Sequence, residues 1–128
     1  VSHLAPDAAA LAALAVATLA GIGLPQKRAA TLVTLGEAVA TRRIALDSGD
    51  AAAISAALQA LPGIGPWTTQ YVAMRALRDP DAFPAGDLGL QKALHPGRRV
   101  SERELERHAE TWRPWRAYAA MHLWHSLG

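Results

Sequence analysis

Cysteine is absent from the 128 residues, which excludes a disulfide framework, a thiol nucleophile, a zinc knuckle and an iron–sulfur cluster. Aromatic residues are scarce, with four Trp, two Tyr and one Phe. A surplus of one charge is lacking too. Thirteen basic and eleven acidic residues leave a formal net charge of +2, a balance that permits a nucleic-acid partner without demanding one. A protein that grips a few phosphates through backbone N–H groups has no need of more. No hydrophobic run is long enough for a membrane span. The most apolar stretch, residues 8–20, is mostly Ala, falls short of a bilayer and has no basic flank of the secretory kind. The expectation is a soluble cytoplasmic protein with no membrane partner.

Hydrophobic residues make up 51% of the chain, enough for one domain with a packed core. Their spacing reads as all-α, with no convincing strand period. Pro6 and Asp7 open an Ala/Leu helix expected to run on to Gly21 or Gly23. Pro25 opens a second, reaching about Ala40. Asp50 is placed to cap a third from Ala51 to Ala60, and Pro66 to start a fourth from Trp67 to Leu77. Residues 79–86 hold two Pro and one Gly and read as an ordered loop. A short helix follows Asp87. Ser101-Glu102-Arg103-Glu104 matches a capping box, and Pro114 opens a last helix to Leu127. Leu19-Ala20-Gly21-Ile22-Gly23 echoes Leu61-Pro62-Gly63-Ile64-Gly65, which leaves open two related hairpins or a chance recurrence of Gly turns.

The second of these segments is the more informative. Between two helices, Gly63 and Gly65 let backbone N–H groups approach an anion, and the helix that follows presents the positive end of its dipole. A plain helix–helix connection explains the same residues. Asp87 is similarly open on its own: Asp at a helix start is a favoured N-cap. Trp67 and Tyr71 share one helix face and suit a core as well as a site. Trp115 and Trp124 fall on opposite faces of the last helix, so they cannot serve one core; Trp115 is expected to pack with Tyr118 and His122. The five histidines, His3, His95, His108, His122 and His125, have no carboxylate at ligand spacing and read as structural or solvated. Arg103, Arg107, Arg113 and Arg116 are expected to pair with local acids.

Three segments in order carry a resemblance. They are Leu61-Pro62-Gly63-Ile64-Gly65 with Trp67-Thr68-Thr69-Gln70-Tyr71, then Phe83-Pro84-Ala85-Gly86-Asp87, then Trp112-Arg113-Pro114-Trp115-Arg116-Ala117-Tyr118. Together they resemble the helix–hairpin–helix (HhH-GPD) DNA glycosylase superfamily, in its 3-methyladenine DNA glycosylase II (AlkA-type) branch. The resemblance implies an all-α, multi-helix domain over residues 1–128, with one helix–hairpin–helix motif at about 50–77. It implies a monomeric base-excision repair enzyme that flips and removes alkylated purines from double-stranded DNA, at the bacterial nucleoid.

By the same resemblance Asp87 is the essential carboxylate, and Trp67, Tyr71 and Trp124 line the base pocket. Gly63, Gly65 and Trp67 contact a DNA phosphate. No cofactor is required, though main-chain oxygens of Gln59, Leu61 and Ile64 are implied to hold a structural Na+ or K+. Members of the family carry upstream helices, one with a Gln-Gln pair, and a wedge residue; neither is present here. The chain is therefore expected to be the C-terminal part of a longer enzyme, with the missing helices as its partners. A noncatalytic helix–hairpin–helix DNA-binding module, an inactive fragment of the enzyme and a helical protein-interaction domain are the competing readings.

Bifunctional relatives carry a Schiff-base lysine where this chain has Trp67, and an indole cannot form the imine that strand cleavage needs. Borohydride reduction in the presence of an abasic-site duplex is therefore expected to trap no covalent adduct; a trapped adduct would contradict a monofunctional reading.

Overall fold

Asp7 opens the helical part of the chain, its carboxylate accepting from the Ala10 amide at 2.7 Å. The computed structural model describes residues 5–98 and 100–128, so His3 lies outside the described residues. No strand occurs among them. The helices belong to two compact units that divide between Ile64 and Gly65.

The first unit holds α1 (Ala8–Ala12), α2 (Val16–Gly21), α3 (Gln26–Ala40) and α4 (Ala51–Gln59). Where one Ala/Leu helix is expected there are two, because Ala15 is extended at ψ 140°. Ala favours helix everywhere and gives no local sign of a break. The backbone of α1 lies directly against α3: a Cβ on Gly36 would stand 2.9 Å from Ala12 N and from Leu11 Cβ. Asp50 caps α4 through the Ala53 amide at 2.9 Å. Leu19, Ala29, Ala38, Ile44, Ile54, Leu58 and Ile64 are buried.

The two Gly turns are alike in composition and not in conformation. Gly63 has φ +89° and Gly23 has φ +101°, yet Gly23 aligns with Gly65, which is extended at φ −95°. Gly21, aligned with Gly63, is the last residue of α2.

The second unit holds α5 (Pro66–Arg75), α6 (Leu88–Leu94), α7 (Glu102–Ala109), a 3-10 turn (Glu110–Trp112) and α8 (Arg116–His125). Its core gathers Ala73, Met74, Phe83, Leu90, Leu105, Ala109, Ala117 and Ala120, with Trp112 and Trp124 packed against it. The Ser101 hydroxyl caps α7 through the Glu104 amide at 3.2 Å. Only half a capping box forms, since the Glu104 carboxylate pairs with Arg98 at 2.6 Å. The last helix starts two residues later than Pro114 suggests. Trp115 donates its amide to Trp112, and the Ala117 amide finds the Pro80 carbonyl at 2.9 Å, a tertiary partner for an amide that a helix start leaves orphaned.

A methyl group on Gly36 must displace the backbone of α1. Gly36→Ala is expected to cost roughly 1–3 kcal/mol by overpacking, although Ala is the better helix former. Urea unfolding checks this; a stabilised variant would contradict the contact.

Candidate active site

The loop before α6 is built to deliver one carboxylate. Ala82, Phe83, Pro84 and Ala85 are buried, which a loop tolerates only if its backbone groups find partners. The Phe83 amide donates to the Gln70 side chain of α5 at 2.9 Å, and the Asp87 amide donates to the Pro84 carbonyl at 2.9 Å. From the other end, Arg116 of α8 grips both carboxylate oxygens of Asp81, at 2.8 and 2.9 Å. Arg113 also pairs with Asp81, and with Glu110 at 2.8 Å. Gln70 and Asp81 are positioning residues that sequence reasoning did not single out. Of the four arginines expected to pair with acids, Arg113 and Arg116 do so.

At the end of this loop Asp87 is the N-cap of α6, accepting from the Leu90 amide at 2.9 Å. Capping and a place in a cavity therefore coincide. The same oxygen, Oδ1, accepts from Trp124 Nε1 at 2.9 Å. The other, Oδ2, accepts from Trp67 Nε1 at 2.9 Å. Two indoles from α5 and α8 thus hold the carboxylate by their N–H edges. Partial burial alone would raise the Asp87 carboxyl, but the N–H donors of Trp124, Leu90, Trp67 and Gly89 outweigh it and hold the group below its ordinary value.

Trp67 and Tyr71 stack at 5.3 Å with 13° between their planes, and Tyr71 meets Trp124 at 6.0 Å and 58°. These rings, Asp87, Arg75 and Met121 line an open cavity of about 370 Å³, within the ~300–1,000 Å³ range of small-ligand sites. Trp67 and Tyr71 stay 41% and 37% exposed, so neither is a core residue. A second cavity, about 350 Å³, shares only Trp67 with the first and is lined by Glu102, Glu106 and Glu110 besides Arg113 and Arg116. It does not contain Asp87.

The structure brings together Asp87, Trp67, Tyr71 and Trp124. Gln59, Leu61, Gly63 and Ile64 belong to the first unit and Gly65 begins the second. In the first, the Thr31 hydroxyl donates to the Pro62 carbonyl at 3.0 Å, and a Cβ on Gly63 would fall 2.1 Å from that hydroxyl; only glycine fits there. Trp115 packs edge-on to Tyr118 at 5.7 Å, away from the cavity, and both are exposed.

No family model matches the chain. Individual proteins do. The chain is similar to the probable bifunctional transcriptional activator/DNA repair enzyme AlkA of Mycobacterium tuberculosis, at 45% identity over 108 residues, which cover 83% of this chain and 22% of that protein. It is similar to DNA-3-methyladenine glycosylase 2 of Escherichia coli, at 36% identity over 124 residues, 96% of this chain and 43% of the relative. The chain thus spans less than half the length of either relative. Among solved structures, the Schizosaccharomyces pombe 3-methyladenine DNA glycosylase in complex with abasic DNA superposes with a TM-score of 0.80 at 20% identity, over 93% of this chain and 62% of that one. At that identity the likeness is one of fold.

A lowered carboxyl carries a sign. Asp87 contributes stability that is fully present above the ordinary carboxylate value and is lost as pH falls through the lowered one. NMR titration of the Asp87 side-chain carbon is expected to give a midpoint below 3.8, the ordinary value; a midpoint above it would contradict the two indole bonds.

Proposed function

Since the chain belongs, over the residues it spans, to the helix–hairpin–helix (HhH-GPD) superfamily of DNA glycosylases in its 3-methyladenine DNA glycosylase II (AlkA-type) branch, we propose that it is the part of a base-excision enzyme that hydrolyses the N-glycosidic bond of alkylated purines. The observation that carries this reading is an ionised carboxylate held by two indole N–H groups in an aromatic-walled cavity.

A purine methylated at N3 or N7 is a cation and departs as a neutral base. The C1′–N bond breaks with its electron pair going to the base, and positive charge develops on the deoxyribose. Asp87 stabilises that charge. Water then adds its oxygen to C1′ and its proton passes to solvent. Donors on both carboxylate oxygens depress the basicity of Asp87, so its role is chiefly electrostatic, with little capacity as a general base. Trp67, Tyr71 and Trp124 wall the space for a flipped base, where a cationic purine on electron-rich rings gains about 1–2 kcal/mol when desolvated.

DNA is the partner in this reading, with the protein acting as a monomer in the bacterial cytoplasm at the nucleoid. No helix among the described residues is long and apolar enough to cross a membrane. Phosphate binding is assigned to backbone N–H groups: Gly63, at positive φ in the first unit, and Gly65 and Trp67 at the start of α5 in the second. A monovalent cation would be held by main-chain oxygens of Gln59, Leu61 and Ile64. The oxygens suit one: Gln59 ends α4, where carbonyls outrun the helix ladder, and Leu61 spends one lone pair on the Ile64 amide. The ion would supply positive charge beside a phosphate.

Asp87→Asn keeps an oxygen for the α6 cap and removes the charge. Release of methylated purines from alkylated duplex is expected to fall on the order of 10²-fold or more, while salt-dependent duplex binding persists. Release by the variant at near wild-type rate would overturn the assignment.

A further inference from the structure

Gly89 is the second residue of α6. Glycine is a poorer helix former than Ala, and its backbone φ is not one of the positive values that would require it. The reason lies in what surrounds the α-carbon. A Cβ at this position would stand 2.9 Å from Asp87 Oδ1, and 3.4 Å from both Trp124 Cδ1 and Leu127 Cδ1. The ring atom Cδ1 adjoins Nε1, the nitrogen that donates to Oδ1. Gly89 thus sits where the edge of the indole closes on the carboxylate, with Leu127, just past the end of α8, beside it.

We propose that Gly89 is a positioning residue for Asp87: its missing side chain is the space through which the Trp124 N–H reaches the carboxylate and fixes its aim. This rests on the reading of Asp87 as the catalytic carboxylate. A methyl group cannot retreat toward Trp124 or Leu127, which already stand at contact distance, so Oδ1 must turn away. Turning breaks the bond from Trp124, the bond from the Leu90 amide, or both, since the two converge on that one oxygen. Donors that hold the ionised form are then lost, and the carboxylate swings from its place in the cavity.

Gly89→Ala tests this with readouts that a merely structural glycine would not move. In the wild type, the Trp124 Nε1–H resonance is expected to titrate together with the Asp87 carboxyl. In the variant, the carboxyl midpoint is expected to rise toward the ordinary value, and the indole resonance to lose its dependence on it. Single-turnover release of methylated purines should fall ~10-fold or more at unchanged duplex affinity, the penalty of a misplaced group. Global stability should change little, because the helix preference of Ala is offset by the weakened cap. Identical Asp87 and Trp124 titrations in the two proteins would overturn the proposal. So would a wild-type Trp124 resonance that ignores Asp87, a check that needs no variant. If Gly89→Ala moves the titrations while Asp87→Asn leaves excision intact, the catalytic reading fails and the positioning contact stands. If Asp87→Asn abolishes excision and Gly89→Ala behaves as wild type, the reverse holds.

Discussion

One carboxylate bracketed by two indole N–H groups sets the arrangement of the second unit. A partly buried negative charge is tolerated when donors replace the water it loses, and Asp87 finds three within 2.9 Å, from Trp67, Trp124 and Leu90. Each comes from a different helix. α5 brings Trp67, α8 brings Trp124, and α6 offers the Leu90 amide of its first turn. The charge is a meeting point for three elements, and the cavity is the space that their aromatic side chains leave over it.

The supports of that meeting point are polar and lie outside it. Gln70, one residue before Tyr71, receives the Phe83 amide and so ties the buried loop to the helix that carries two of the aromatic rings. At the far end, Arg116 meets Asp81 in a two-bond fork, the geometry that makes arginine stronger than lysine at a carboxylate. Glu110 and Arg113 extend this pairing but are about half exposed, where a single ion pair contributes little. The network matters as geometry: it anchors the start of α8, and with it the direction in which Trp124 points.

An N-cap aspartate that is also the proposed catalytic carboxylate joins two demands in one residue. The cap makes the helix begin at Leu88, and the helix start supplies an amide that keeps the carboxylate ionised. Stability and the proposed chemistry then draw on the same hydrogen bond. The indoles are joined in the same way. Their faces wall the cavity while their N–H edges hold the charge, a double use that follows from the amphipathic form of tryptophan.

Much of the fold was legible along the chain. Asp50, Asp87 and Ser101 marked helix starts because capping is local, decided by a side chain and an amide three residues on. The resemblance carried by three short ordered segments singled out Trp67, Tyr71, Trp124 and Asp87, and these four line one cavity. What the sequence could not contain is the result of residues meeting across distance. The break between α1 and α2 falls at an extended Ala15, and no run of alanines announces it. The late start of α8 depends on the Pro80 carbonyl. That Trp67 and Trp124 hold Asp87 by their edges, and that Gly89 must be bare for this to happen, is a matter of a few ångströms between helices far apart in the chain. Local patterns decide where elements begin. Only packing decides which atoms face one another.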